Sequence, residues 1–533
     1  MTDAKGTVRR ARSARRRSDL ALALAVLVLW EIVGRFGLVA DGALPAPSAI
    51  LAALWRDRAD YPAHVGATLH GAGVGFLLGN AIAIAAGILF VLSPLASRLA
   101  RGVNIALFSL PPIAVAPIFA LTMSGMTPRI ALAALGCYFV TMTATVLGLS
   151  RFDSRSADVV RAYGGGRLAL LRFVQLRSAL PLMLSGLRIA APNAVLGAIL
   201  AEFGGGGRWG LGTYLLGSLG RGEPARLWGI GLVATAIAGL GYLAFAQLAS
   251  RTLDSTRAVS LDVALPAAEE GRAGAVPRQI LLTLGSIALP LVLWWVLVAV
   301  PDLPRLIART PAGVFDYLFL AEASGAARSR LAAALVETLP ITLAGLALGL
   351  AVAFVLAVGT RLFPPALRLL LPVALVTQTM PLVALTPLLV LLLGRGPALV
   401  LWITASVTFF PAFVTLAQGL ALVPRSVLDV ARAYGASPWR RTRLITLPAS
   451  VPYLFAAARL AAPRALLGVM IAEWLATGTG LGNLLNQSRG YMDYGMVWAV
   501  ASVSVLIAIG FHLVVATVER AVLARMGAAV RAG

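Results

Sequence analysis

Apolar runs recur along the chain, separated by short polar breaks rich in arginine, proline and glycine. They fall at about 20–40, 66–92, 102–122, 128–148, 183–203 and 227–249, and again at about 279–300, 335–358, 368–393, 397–421, 454–475 and 495–517. Each is close to the roughly 20 residues that a helix needs to cross a bilayer. The pattern predicts an all-α polytopic membrane protein of about twelve transmembrane helices. A polar stretch from Ser250 to Arg278 divides them six and six, and reads as a linker. The expected organisation is a basic tail at 1–19, a first unit at 20–250, a linker at 251–278, a second unit at 279–519 and a tail at 520–533.

The division is also a duplication. Asp158-Val-Val-Arg-Ala-Tyr-Gly164 returns as Asp429-Val-Ala-Arg-Ala-Tyr-Gly435, an offset of 271 residues. That offset holds without a gap to Glu202 and Glu473, and 18 of the 45 aligned pairs are identical. Among them are Arg172/Arg443, Pro181/Pro452, Arg188/Arg459, Pro192/Pro463 and Gly197/Gly468. An internal repeat is read before any single motif, because it fixes the architecture. With an even number of spans per unit, the two halves run parallel, as two six-helix repeats about an axis normal to the membrane.

Composition changes the picture only in detail. Charged residues make up 13% of the chain and apolar ones 59%, far from the balance of a water-soluble domain. The net charge of +23 would suit nucleic acid, but the arginines lie between apolar runs without aromatic stacking clusters, so nucleic acid is not an expected partner. They mark membrane orientation instead. Arg151, Arg155, Arg161, Arg167, Arg172 and Arg177 crowd the loop 149–182, and Arg425, Arg432, Arg440, Arg441 and Arg443 crowd the loop 422–453. This bias puts both loops, the linker and both termini in the cytoplasm. A signal peptide is not read at the N-terminus, because no small-x-small cleavage site precedes the next polar stretch. Cys137 is the single cysteine, and His64, His70 and His512 lack metal-ligand spacing, so no metal site, cofactor or catalytic constellation is expected.

Each arginine-rich loop reads as a short helix, a glycine turn at Gly164 or Gly435, and a second basic helix, after which Pro181 opens the next span. Two equal projections suit a partner that is itself a symmetric dimer. The alternative is a chain turn whose arginines meet lipid phosphates. In the second half, Asp429-Val-Ala, Gly435 and Ile445-Thr-Leu-Pro448 resemble the cytoplasmic "EAA" loop of ABC-importer permeases. The first half is similar with Asp158-Val-Val, Gly164 and Val174-Gln-Leu-Arg177, where Arg177 stands in place of proline and Gly164-Gly-Gly166 loosens the turn. Leu44-Pro-Ala-Pro-Ser48, Gly210-Leu-Gly212 and Gly480-Leu-Gly482 resemble the branch that imports aliphatic sulfonates, taurine and nitrate.

The resemblance implies a permease in a bacterial inner membrane, with two permease units fused in one chain. Its partners would be a cytoplasmic ABC ATPase dimer, an external substrate-binding protein and the lipid bilayer. Asp158, Arg161, Ala162, Gly164, Asp429, Arg432, Ala433 and Gly435 would couple it to the ATPase. The chain itself cannot bind ATP through a standard P-loop, because its one lysine, Lys5, lies in no such motif. It is therefore not expected to be an enzyme.

Polar residues and prolines within spans are the candidates for the solute path. They are Pro111, Pro117, Asn193, Glu202, Gln378, Pro381, Pro387 and Glu473. Ordinary bundle packing is the alternative for the prolines, and for Glu202 and Glu473 it is snorkelling to the membrane interface. Asn80 and Asn104 are further intramembrane polar residues, and Arg188, Arg459 and Arg464 are cations that could meet an anion or close a helix end. The rival function is a twelve-span secondary transporter driven by an ion gradient, a class that requires intramembrane ionisable residues.

Overall fold

The computed structural model describes residues 24–39, 42–205, 207–219, 221–252, 276–300, 303–304, 306–363, 382–421 and 423–526. Every element among them is helical. Among the described residues nine helices are long and apolar enough to cross a membrane, and a tenth span is broken into two pieces. Of the remaining expected spans, the first is described as a helix at 24–35 and the ninth as Leu382–Leu393. Gln378 and Pro381 lie outside the described residues.

Small residues set how closely these helices pack. On Tyr61–Leu92, Gly71, Gly75, Gly79, Ala83 and Gly87 recur every fourth residue on a buried face. A side chain at Gly75 or Gly79 would strike the backbone at Ile130 or Ala134 of the helix Thr127–Ser150. In the second half, Gly345 and Gly349 of Ser324–Leu362 lie equally close to Thr404 and Thr408 of Pro397–Ala421. Glycine every fourth residue lets two backbones approach, which supplies the dispersion contact that lipid does not oppose. Thr127–Ser150 and Pro397–Ala421 pack in turn on Leu176–Phe203 and Leu447–Ala472, the innermost helix of each half.

Two expectations are corrected. The run 102–122 is not one helix: Arg101–Ser109 and Pro112–Thr122 meet at 97°, with Leu110 and Pro111 extended between them. Adjacent prolines remove two backbone donors and push the preceding residue out of the helical region. Pro181 does not open its span either. The helical run continues from Arg167 to Phe203, and Pro181 lies inside Leu176–Phe203. A π-turn at Leu171–Gln175 precedes that helix, and its twin at Thr442–Thr446 precedes Leu447–Ala472.

The halves interlock through their outer elements. Pro112–Thr122 packs on Tyr494–Arg525, and Leu382–Leu393 packs reciprocally on Pro224–Thr252. One buried cluster includes Ile113, Leu200 and Leu215 of the first half with Met470, Ile471 and Met496 of the second. Val276–Ala299 also lies against Arg101–Ser109, where the Gly102 N–H donates to Ser286 Oγ at 2.8 Å.

A second repeated device closes the end opposite the arginine-rich loops. Trp30 and Trp228 pack with ring centroids 5.7 Å apart and donate to the carbonyls of Pro45 and Ala43, each at 3.1 Å. Trp294 and Trp498 stack at 5.5 Å and donate to Arg309 at 3.0 Å and Ile307 at 2.8 Å. Each pair ties the first and last spans of its half to the segment between.

Candidate functional site

The two loop helices are nearly superimposable in chemistry. Ser154–Ala162 starts at Asp153, whose carboxylate accepts from the Arg155 N–H at 3.0 Å, and Arg425–Ala433 starts after Pro424. Both end on a left-handed glycine, with φ +77° at Gly164 and +71° at Gly435. The Gly164 N–H donates to the Arg161 carbonyl at 2.9 Å and that of Gly435 to Arg432 at 2.8 Å. Gly165 then bonds back to Val160, and Ala436 to Ala431, each at 2.9 Å. This is the paired closure that ends a helix when residue C′ can adopt positive φ. The looser turn expected from three consecutive glycines is absent, because Gly164 alone takes the left-handed conformation and the next two follow the same path as Ala436 and Ser437.

All eight candidate coupling residues are exposed on these helices. Arg161 pairs with Asp158 at 3.2 Å and Arg432 with Asp429 at 2.7 Å. Exposed pairs of this kind contribute little stability. More telling are four apolar positions left uncovered in both copies. They are Val159 and Val430 at 56% and 58% exposure, Tyr163 and Tyr434 at 89% and 87%, Leu168 and Trp439 at 72% and 58%, and Phe173 and Leu444 at 56% and 69%. The sequence reading expected a cationic, partly apolar face here but did not name these apolar positions, although they repeat at the same offset. An uncovered apolar patch beside fixed charges is the anatomy of an interaction surface.

Glu202 and Glu473 are enclosed, at 2% and 3% exposure, and do not reach an interface with water or headgroups. Glu202 accepts from Thr68 Oγ1 at 2.7 Å and the Gly212 N–H at 2.7 Å, with Arg129 Nη1 at 3.7 Å. Thr68 Oγ1 itself accepts from the Leu211 N–H at 2.9 Å. The twin is built alike. Glu473 accepts from Thr338 Oγ1 at 2.8 Å and the Gly482 N–H at 2.9 Å, and Thr338 accepts from the Leu481 N–H at 2.9 Å. Each carboxylate thus fastens the start of the following short helix, Leu211–Leu219 or Gly480–Gly490, to two spans. The two Gly-Leu-Gly turns are what these carboxylates hold. Thr68, Thr338 and Arg129 were missed; the threonines repeat at an offset of 270, a signal that was available.

Among the other candidates, Pro111 and Pro117 are buried at the broken span, and Pro387 falls within Leu382–Leu393. Asn193 is half-buried and donates to the Gly136 carbonyl at 3.4 Å. Asn80 accepts from Thr141 at 2.5 Å and Asn104 from Tyr138 at 3.0 Å, so both join neighbouring helices. Arg188 lies over the Tyr242 ring at 4.9 Å, and Arg459 pairs with Glu519 at 3.2 Å. Neither closes a helix end; each reaches the last span of its own half. At the tryptophan end, Tyr317 donates to Asp493 at 3.0 Å, and burial together with that carboxylate pushes its hydroxyl above the usual tyrosine range. Among the described residues no group of three or more His, Cys, Asp or Glu side chains could hold a metal ion.

A duplicated all-α bundle with a broken span and two exposed loop helices defines a polytopic membrane transport component. The chain belongs to the family of binding-protein-dependent transport system inner membrane components, which it matches twice, over residues 79–254 and 345–526. It is similar to the riboflavin transport system permease protein RibX of Chloroflexus aurantiacus, 29% identical over 28% of this chain and 56% of that protein. It is likewise similar to the formylaminopyrimidine transport permease protein ThiX of Halalkalibacterium halodurans, 30% identical over 32% of this chain and 71% of that protein. SsuC of Bacillus subtilis, named for aliphatic sulfonates transport, is 26% identical over 44% of this chain and 85% of its own length.

Proposed function

We propose that this chain forms the translocation path of an ATP-driven importer, as two permease units fused into one polypeptide. Residues 20–250 and 279–519 form the units, joined by a linker at 251–278. The chain sits in a bacterial inner membrane with its tails at 1–19 and 520–533 in the cytoplasm. A cytoplasmic ATPase dimer docks on the two loop helices, one ATPase copy on each. A substrate-binding protein delivers solute at the opposite face. Asp158, Arg161, Ala162, Gly164 and their twins Asp429, Arg432, Ala433 and Gly435 form the docking surface. The observation that carries this reading is the set of four matched apolar positions, uncovered in both copies beside the same ion pair.

The solute is read as a small anion of the sulfonate, taurine or nitrate kind. The relatives' names span riboflavin, formylaminopyrimidine and sulfonates, so the class rests on this chain's own cations, argued below. In proteoliposomes holding the chain, its ATPase and its binding protein, labelled ethanesulfonate or nitrate is expected to accumulate only with ATP, and to do so after ion gradients are collapsed. Accumulation driven by a sodium or proton gradient without the ATPase would favour the secondary transporter instead.

A further inference from the structure

The innermost helix of each half carries a partly exposed stripe. In the first half it is Ser185, Ile189, Asn193 and Leu196, and in the second Ala456, Leu460, Arg464 and Leu467. The spacing of four, four and three residues is one face of a helix. The two stripes correspond position by position at the offset of 271. At one end of each stripe, Leu196 and Leu467 both pack on the buried cluster that joins the halves. Lower down, Ala456 and Leu460 line a cavity with Ile105 and Phe108 of the first half, and with Arg459 and His512. The second stripe therefore runs along the seam between the halves, and not against lipid.

Arg464 stands in the middle of that stripe, opposite in the repeat to the neutral Asn193. Among the described residues its guanidinium has no carboxylate and no hydrogen-bond partner. Arg129 and Arg459, two further cations within the spans, are matched differently. Arg129 lies beside Glu202, and Arg459 in the cavity is paired with Glu519. His512, on the same cavity, has an Nδ1 without a hydrogen-bond partner. Helical side chains tilt toward the helix N-terminus, which directs Arg464 over the turn of Leu460. A charge at this depth is costly without a partner, so an unpaired one marks a place that an anion or water visits.

We propose that Arg464 contacts the solute and gives the path its preference for small oxyanions, the charged group passing between Arg464 and the cavity below it. This rests on the reading of the chain as the path-forming subunit. The single native cysteine, Cys137, is buried and donates to the Ala190 carbonyl, and Cys137→Ser keeps that bond. In that background, Leu460→Cys places a thiol one turn below Arg464. Two probes are used on the complex in detergent, the anionic sulfonatoethyl and the cationic trimethylammonioethyl methanethiosulfonates, with rates normalised to a free thiol. The anionic reagent is expected to react about tenfold faster or more, the scale set by one unit charge about 6 Å away in a partly screened site. Arg464→Lys should keep the preference, and Arg464→Gln should abolish it. Arg464→Gln breaks no ion pair, and Arg464→Met is a second variant that keeps the apolar stem.

An unchanged ratio in Arg464→Gln or Arg464→Met overturns the proposal. So does a Leu460→Cys thiol that neither reagent reaches. ATPase pull-down from the same preparations separates the two claims. Loss of the ATPase with the charge preference intact counts against the importer reading alone.

Discussion

Aspartate placed at both Tyr163 and Tyr434 is expected to remove the ATPase from the purified complex. These rings are 89% and 87% exposed at the ends of the loop helices, so little of the chain's own packing depends on them. Substitution there should leave the fold within about 0.5 kcal/mol of wild type. A tyrosine buried at the centre of an interface contributes about 2–4 kcal/mol, and a carboxylate in its place adds a desolvation cost. The double variant should weaken association by on the order of a thousandfold, read by pull-down or by binding kinetics. The single variants should differ by less than about 1 kcal/mol. Arg177 and three glycines set the first copy apart in sequence, but both turns close with the same bonds and both helices leave the same four positions bare. A loss confined to one copy would show that the projections are not equivalent. Full retention of the ATPase by the double variant would place the docking surface elsewhere.

The second large effect is expected at Glu473. Glu473→Ala strips the acceptor from the Gly482 N–H and the Thr338 hydroxyl, both within a buried site. Each unsatisfied group costs about 1–3 kcal/mol, so the pair costs about 2–6 kcal/mol. The readout is the melting temperature in detergent together with the yield of monodisperse protein. Glu473→Gln keeps an acceptor oxygen of the same reach and should lose much less. Gly480→Ala should resemble Glu473→Ala, because φ is +76° there and an added Cβ would collide with the Glu473 carboxylate. In the first half the loss should be larger, since Glu202→Ala also removes the carboxylate 3.7 Å from the buried Arg129. A Glu473→Ala protein that melts with the wild type would show that the carboxylate serves something other than this three-element junction.

What the sequence made legible was periodic or repeated. The spans and the glycine turns at Gly164 and Gly435 follow from patterns within a few residues of each other, and the duplication from one fixed offset of 271 residues. The break at Pro111 was written in the chain as a double proline, and an apolar run can hide such a break because both pieces remain hydrophobic. The junction at Glu202 was less accessible. Its partner Thr68 lies 134 residues away, and nothing local in either segment announces the contact. The same holds for the tryptophan clamps, where Trp228 and Trp498 reach carbonyls 185 and 191 residues away. The π-turns at Leu171–Gln175 and Thr442–Thr446 have no residue signature of their own, yet each precedes the innermost helix of its half. Arg464 is visible in the sequence, but its place beside the cavity at the seam between the halves is not.

If one chain presents two equal docking helices, it engages one ATPase dimer by itself. The most direct test is the subunit stoichiometry of the complex purified with its ATPase, measured by native mass spectrometry. One copy of this chain with two copies of the ATPase is expected. Two copies of this chain per ATPase dimer, or a stable preparation with no ATPase at all, would contradict it.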